Sequence, residues 1–163
     1  MAGNRGEMLR LGLEAPGGLA TPEEQEGQNM PYWRLFYHFV WATKNREPLL
    51  RAELRPSLHA YIASKGNELR AIVHAVGGTE DHVHVAVSVP PSISVSEFVG
   101  RLKGSSSRLA NLEWFEGAFA WQREYGVVSF GERHLSFVVA YVHKQEQRHV
   151  ARDLIPLLER IGG

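Results

Sequence analysis

The stretch Leu69–Val89, LRAIVHAVGGTEDHVHVAVSV, holds two β-branched runs separated by Gly77-Gly78-Thr79-Glu80-Asp81. A connection this short, opened by two glycines, predicts an antiparallel hairpin with strands over 69–76 and 82–89. Strand side chains alternate, so His82 and His84 project from one face and Val83 from the other. One hairpin therefore offers an apolar face for a core and, on its other side, a pair of imidazoles.

Working outward, Trp33–Thr43 (WRLFYHFVWAT) is aromatic and β-branched and predicts a buried strand. Pro48 stops any continuation of it. Leu54, Leu58, Tyr61 and Ile62 mark a helix within 52–67, with Pro56 tolerated in its first turn. Downstream of the hairpin, Ser94 or Ser96 can cap a helix carrying Phe98, Val99, Leu102 and Leu109. Gly104-Ser105-Ser106-Ser107 inside it is poor helix-forming material, which suggests a stretch kept for contacts. Short strand pieces are expected at 119–121 and 127–130, a helix over 132–150, and a last short helix within 153–161. The order strand, helix, strand, strand, helix, strand, helix is a split βαβ arrangement. It predicts an α+β fold, an antiparallel sheet with helices mainly on one face.

The 163 residues suit one domain of ordinary size, and a hydrophobic fraction of 44% is enough for a core. Cysteine is absent, which excludes disulfides and thiolate metal sites. Residues 1–29 are acidic, contain Gly and Pro, and show no sustained period; they are expected to form an extension to a domain over 30–163. No run has transmembrane length and none near the start reads as a signal peptide, so a cytoplasmic protein is expected. The formal net charge is zero, but residues 1–28 hold two bases against five acids, so the remainder is basic. Where positive charge clusters matters more for nucleic-acid binding than the total.

Strand geometry holds His82 and His84 about 6–7 Å apart at the backbone, close enough to converge on one ion. The same spacing also fits two ordinary histidines on a hairpin. Tyr141 and Gln145 stand four apart on the predicted C-terminal helix and share a face. A phenol can act as a nucleophile, and a carboxamide oxygen can be a third, neutral ligand. Such a set leaves a divalent ion its full charge for polarising a phosphodiester. Taken singly, Tyr141 reads more readily as a core tyrosine and Gln145 as a solvent-facing residue than as parts of a site.

Five segments together carry a family resemblance: WATKNREPL (41–49), GGTEDHVHV (77–85), RLKGSSSR (101–108), FAWQREYG (119–126) and YVHKQEQRH (141–149). Over residues 30–150 the chain resembles the IS200/IS605-type, or Y1, transposases of the HUH superfamily. The resemblance implies a ferredoxin-like fold, usually dimeric. It implies that His82, His84 and Gln145 bind Mg²⁺ or Mn²⁺ and that Tyr141 attacks DNA, giving a 5′-phosphotyrosine and a free 3′-hydroxyl on hairpin-marked single-stranded DNA. No nucleotide cofactor is expected, because the phosphotyrosine keeps the bond energy. It also implies that Tyr141 can serve the partner subunit. Two imidazoles by themselves would favour Zn, Ni or Mn over Mg. Glu124, where a small residue is expected, and the acidic extension depart from the family pattern.

Lys44, Arg46, Arg101, Lys103 and Arg108 are the expected phosphate contacts, with hydroxyl hydrogen bonds from Ser105, Ser106 and Ser107. Trp41, Trp114, Phe115, Trp121 and Tyr125 offer stacking rings, most of them better suited to the core. No role is assigned to His38, His59, His74, His134, His143 or His149. Two other readings compete with a strand transferase. One is a DNA-hairpin-binding protein descended from such an enzyme. The other is a His-x-His metal hydrolase, disfavoured because barrels with that pair need about 250 residues.

Overall fold

Residues 31–163 are described by the computed structural model; the extension expected over 1–29 lies outside the described residues. Four strands pair antiparallel: β1 (Phe36–Ala42), β2 (Ile72–Gly78), β3 (His82–Ser88) and β4 (Gly126–Phe130), in the spatial order β2-β3-β1-β4. Helix α1 (Arg55–Glu68) joins β1 to β2, and α2 (Val95–Ala110) lies between β3 and β4. This is the α+β split βαβ topology read from the sequence.

Alternation divides the central strands cleanly. Phe39 and Trp41 of β1 and Val83, Val85 and Val87 of β3 pack against Leu58 and Ile62 of α1 and Phe98, Val99 and Leu102 of α2. Phe39 faces Val85 and Trp41 faces Val83 across the ladder. Ser94 caps α2, its Oγ accepting the Glu97 amide at 3.1 Å. The opposite face carries His38, His82 and His84. It is covered by shorter C-terminal helices, α3 (Leu135–His143), α4 (Gln145–Ala151) and α5 (Pro156–Glu159), anchored through Val138 and Val142 on Ala75 and Ala86. The two long helices thus share one face. No helix among the described residues is long and apolar enough to cross a membrane.

Several boundaries differ from expectation. Arg70 adopts a left-handed φ of 62°, so β2 begins only at Ile72, and it then runs through Gly77-Gly78 instead of ending there. The piece expected at 119–121 contributes only a bridge between Trp121 and Thr43. Gly104–Ser107 stays helical; Ser105 and Ser106 donate back to the carbonyls of Arg101 and Leu102 at 2.7 and 2.6 Å. The helix expected over 132–150 is broken at Lys144 (φ −100°, ψ 22°) into α3 and α4.

Two glycines allow close approaches. A Cβ at Gly77 would overlap the Val142 carbonyl oxygen, so glycine lets α3 settle onto β2 directly opposite His84. A Cβ at Gly126 would overlap the Arg160 carbonyl oxygen, so glycine lets the C-terminal segment lie along β4.

Candidate metal and nucleophile site

His82 and His84 are almost fully buried on the face of β3 that α3, α4 and α5 cover. Asp81 holds His82 from behind: Nδ1 donates to its Oδ1 at 2.6 Å. The Thr79 hydroxyl donates to the same carboxylate oxygen at 3.2 Å. The hydrogen bond from His82 lowers the Asp81 pKa below the usual carboxylate range, against the effect of partial burial. The outer nitrogen of His82 is thereby engaged, and Nε2 points to the centre of the site.

His84 is oriented by a residue that the sequence left without a role. His38, on the neighbouring strand, lies with Nε2 2.8 Å from His84 Nδ1. Burial is the main cause that depresses both rings, His38 to about 3 and His84 to about 4, so both are neutral at neutral pH.

The Tyr141–Gln145 pair does arrive at the histidines. Gln145 is buried, with Oε1 3.4 Å from His82 Nε2. Tyr141 is fully buried, its ring edge-on to His84 with centroids 6.1 Å apart. The Arg148 guanidinium lies 4.7 Å from the Tyr141 ring centroid. The phenol donates to Glu159 Oε1 at 2.5 Å and accepts the Ile155 amide at 3.1 Å. Burial first, then the contact with Glu159, pushes the phenol up to about 12.

Glu159 was not singled out in the sequence, yet it sits at the centre. Its Oε2 lies 3.6, 3.4 and 3.6 Å from Nε2 of His82, His84 and His149. Burial alone would raise its carboxyl, but His84 and the Tyr141 hydroxyl outweigh burial and hold it at about 2. Donor atoms of His82, His149 and Glu159 lie within 4.8 Å of one another, a candidate metal-binding triad. Nε2 of His84 and of His149 are buried without a hydrogen-bond partner, as expected of atoms reserved for a cation.

His149 had a signal that went unread. Tyr141, Gln145 and His149 follow at i, i+4 and i+8, and the break at Lys144 carries that row onto the site. Glu159 had none: it ends a four-residue helix whose placement depends on the close approach at Gly126.

The expected DNA-contact residues are dispersed. Lys44 and Arg46 lie exposed in the turn after β1, Arg46 near Asp81 at 3.8 Å. Lys44 lines a concavity of about 530 Å³ with Asn45, Trp121 and residues 122–124. Arg101 is exposed and paired with Glu97 at 2.7 Å; Arg108 is exposed. Lys103 is engaged inside the fold, donating to the carbonyls of Gln122, Arg123 and Glu124 at 2.7, 2.9 and 3.1 Å. Ser106 faces inward: it is fully buried, and its hydroxyl accepts the Trp121 indole N–H at 3.0 Å. That removes Ser106 from any phosphate surface in this arrangement, and Ser105 is turned back on its own helix. Trp114, Phe115, Trp121 and Tyr125 pack against the core.

Residues 31–145 match the family model described as "Transposase IS200 like". The chain is 27% identical to the ISDra2 transposase TnpA of Deinococcus radiodurans over 136 residues, 77% of this chain and 94% of that one. It is 26% identical to the transposase for insertion sequence element IS200 of Salmonella typhimurium over 128 residues, 75% and 84% of the two chains. Among solved structures, a candidate transposase from Deinococcus radiodurans R1 superposes with a TM-score of 0.59 at 24% identity, over 71% of this chain and 94% of that one. A REP-associated tyrosine transposase bound to a REP hairpin superposes with a TM-score of 0.55 at 16% identity, over 84% and 92%. At these identities the superpositions speak for the fold, and the sequence match over most of the described chain speaks for descent: the chain belongs to the IS200-like transposase family.

Proposed function

We propose that this protein cleaves and rejoins single-stranded DNA at hairpin-marked ends, with Tyr141 as nucleophile and a divalent ion, Mg²⁺ or Mn²⁺, held by His82, His84 and Gln145. The observation that carries the reading is convergence. Two residues of a strand and two from successive helices, 57 to 63 positions apart, meet in one buried cluster. Partners of a kind with the REP hairpin, bound by a relative of the same fold, fit this reading.

The buried donors fit such an ion, since His84 Nε2 has no hydrogen-bond partner. When bound, it supplies electrophilic assistance to a phosphodiester. The residues supply the rest. Asp81 and His38 fix the imidazoles, so no reorganisation is needed when substrate arrives. The Tyr141 oxygen forms a bond to phosphorus while the bond from phosphorus to the 3′-oxygen breaks. The phenol proton leaves, and the 3′-oxygen gains one. Rejoining reverses these steps, so phosphotyrosine stores the bond. Both contacts to the phenol come from residues 155–159, so substrate entry displaces that segment. Lys44, Arg46, Arg101 and Arg108 are the proposed phosphate contacts.

Tyr141→Phe tests the reading. It removes one oxygen from a buried ring and should abolish the covalent protein–DNA adduct on hairpin-bearing single strands, while far-UV circular dichroism stays unchanged. Undiminished adduct would assign the nucleophile elsewhere. The proposed homodimer is tested by mixing Tyr141→Phe and His82→Ala subunits. Adduct on the His82→Ala chain shows that one subunit's tyrosine serves its partner's histidines. No adduct from verified mixed dimers shows sites built within one chain.

A further inference from the structure

The ligand set in the proposed function leaves two residues at the same centre unexplained. We infer that, in the DNA-free protein, Glu159 and His149 are direct ligands of the ion together with His82 and His84, and that the site takes a borderline transition ion such as Mn²⁺, Co²⁺ or Zn²⁺ in preference to Mg²⁺. This inference rests on the reading of His82 and His84 as metal ligands.

Donor atoms of His82, His149 and Glu159 lie within 4.8 Å of one another, and His84 Nε2 approaches the same Glu159 oxygen. Glu159 Oε2 stands 3.6, 3.4 and 3.6 Å from the Nε2 atoms of His82, His84 and His149. The His82 and His149 rings approach to 4.7 Å between centroids, and those of His82 and His84 to 4.9 Å. The outer nitrogens are engaged elsewhere: His82 Nδ1 by Asp81 at 2.6 Å and His84 Nδ1 by His38 at 2.8 Å. A neutral imidazole whose Nδ1 carries the hydrogen presents a bare lone pair at Nε2. Spacings of 3.4 to 3.6 Å between Glu159 Oε2 and these nitrogens suit donors gathered around one cation. Nε2 of His84 and of His149 have no hydrogen-bond partner to serve instead.

Chemistry selects the ion. Imidazole suits the later first-row metals, whereas Mg²⁺ prefers oxygen ligands and retains several waters. Three imidazoles and one carboxylate make a nitrogen-rich set. Gln145 then has a second role: its Oε1 lies 3.4 Å from His82 Nε2, and its amide nitrogen lies 3.4 Å from Glu159 Oε1 and from the Tyr141 carbonyl oxygen. It bridges ligands and the helix, in addition to any bond of its own to the ion.

Calorimetric titration of the EDTA-stripped full chain without DNA, using Mn²⁺ and then Mg²⁺, tests this. Wild type should bind Mn²⁺ more tightly than Mg²⁺. Glu159→Gln and His149→Gln should each weaken Mn²⁺ at least about tenfold, since even partners behind a ligand cost that much. Wild-type affinity in both variants, or tighter binding of Mg²⁺, overturns the inference. Wild-type affinity in His82→Ala overturns the underlying reading, so the two failures are distinct. If a variant does not fold, nitrogen NMR of the wild-type imidazoles during Zn²⁺ addition gives the same decision: the His149 Nε2 resonance should move at one equivalent, and an unmoved resonance overturns the inference.

Discussion

The two faces of the central strands differ in what their burial accomplishes. On one, Phe39, Trp41, Val83, Val85 and Val87 meet the apolar stripes of α1 and α2, and every contact there serves stability. On the other, the same strands present His38, His82 and His84, equally buried but each with hydrogen-bonding capacity to satisfy. Burial of polar groups costs stability unless each finds a partner. Asp81 and His38 are such partners, and the nitrogens left over, with Glu159 facing them, form the candidate cation site. The contrast teaches that one strand can carry a stabilising face and a working face with a period of two residues.

The sharpest way to break that division is to damage each face separately. Phe98 lies fully buried against Phe39, ring centroids 5.7 Å apart. Phe98→Ala should cost roughly 3–5 kcal/mol in denaturant unfolding, while the molecules still folded continue to cleave. His82→Ala should do the reverse, abolishing metal-dependent cleavage and keeping cooperative unfolding and hairpin binding. Equal loss of both properties in both variants would dissolve the distinction.

A smaller effect is expected where the working face is clamped. Gly77→Ala would push a methyl group into the Val142 carbonyl oxygen, so α3 must lift from β2 opposite His84. Overpacking of this kind costs about 1–3 kcal/mol, and the displaced helix should carry Tyr141 away from the histidines. Melting temperature and cleavage measured together check this; a variant with both unchanged shows that the close approach does not position α3.

The stabilising face was largely legible in the sequence. The aromatic, β-branched run in 33–43, the alternating Val residues in 82–89 and the spacing of Leu58, Ile62, Phe98 and Leu102 mark strands and helices with buried faces. The working face was legible only where it had a period of its own. His82 and His84 share a strand face, and Tyr141 and Gln145 a helix face, so both pairs could be read. His38 could not, because it reaches His84 across a ladder register that the sequence does not reveal. Glu159 arrives from a four-residue helix seated along β4, where nothing local announces its destination. Ser106 misled because a serine in a polar run turned inward to meet Trp121.

Acid sensitivity separates the faces more finely. His59, on α1, is held at about 4, chiefly by burial and next by the Arg55 guanidinium, against the opposing pull of Glu146. A free imidazole titrates near 6.5, so the unfolded chain takes up this proton first as pH falls. The stability that neutral His59 contributes is therefore complete above about pH 6.5 and drains as pH drops towards 4. In EDTA, His59→Gln should flatten the acid side of the stability profile by up to about one proton. Parallel profiles for variant and wild type would place the acid sensitivity in other groups.

The smallest expected effect distinguishes two cations two residues apart on α2. Arg101 is exposed and pairs with Glu97, whereas Lys103 donates to three carbonyls of residues 122–124 and lies over the Tyr125 ring. The loop that Lys103 secures borders the concavity lined by Lys44, so its removal acts on the shape of that surface. Arg101→Ala should leave the melting temperature unchanged and reduce the salt dependence of single-strand binding by about 0.7 of a log–log unit, the value of one lost phosphate contact. Lys103→Ala should lower the melting temperature, because three carbonyls lose a charged donor, and should weaken binding without that change in slope. If Lys103→Ala instead lowers the slope at unchanged stability, its ammonium leaves the carbonyls for phosphate when DNA binds, and α2 presents both cations to the strand.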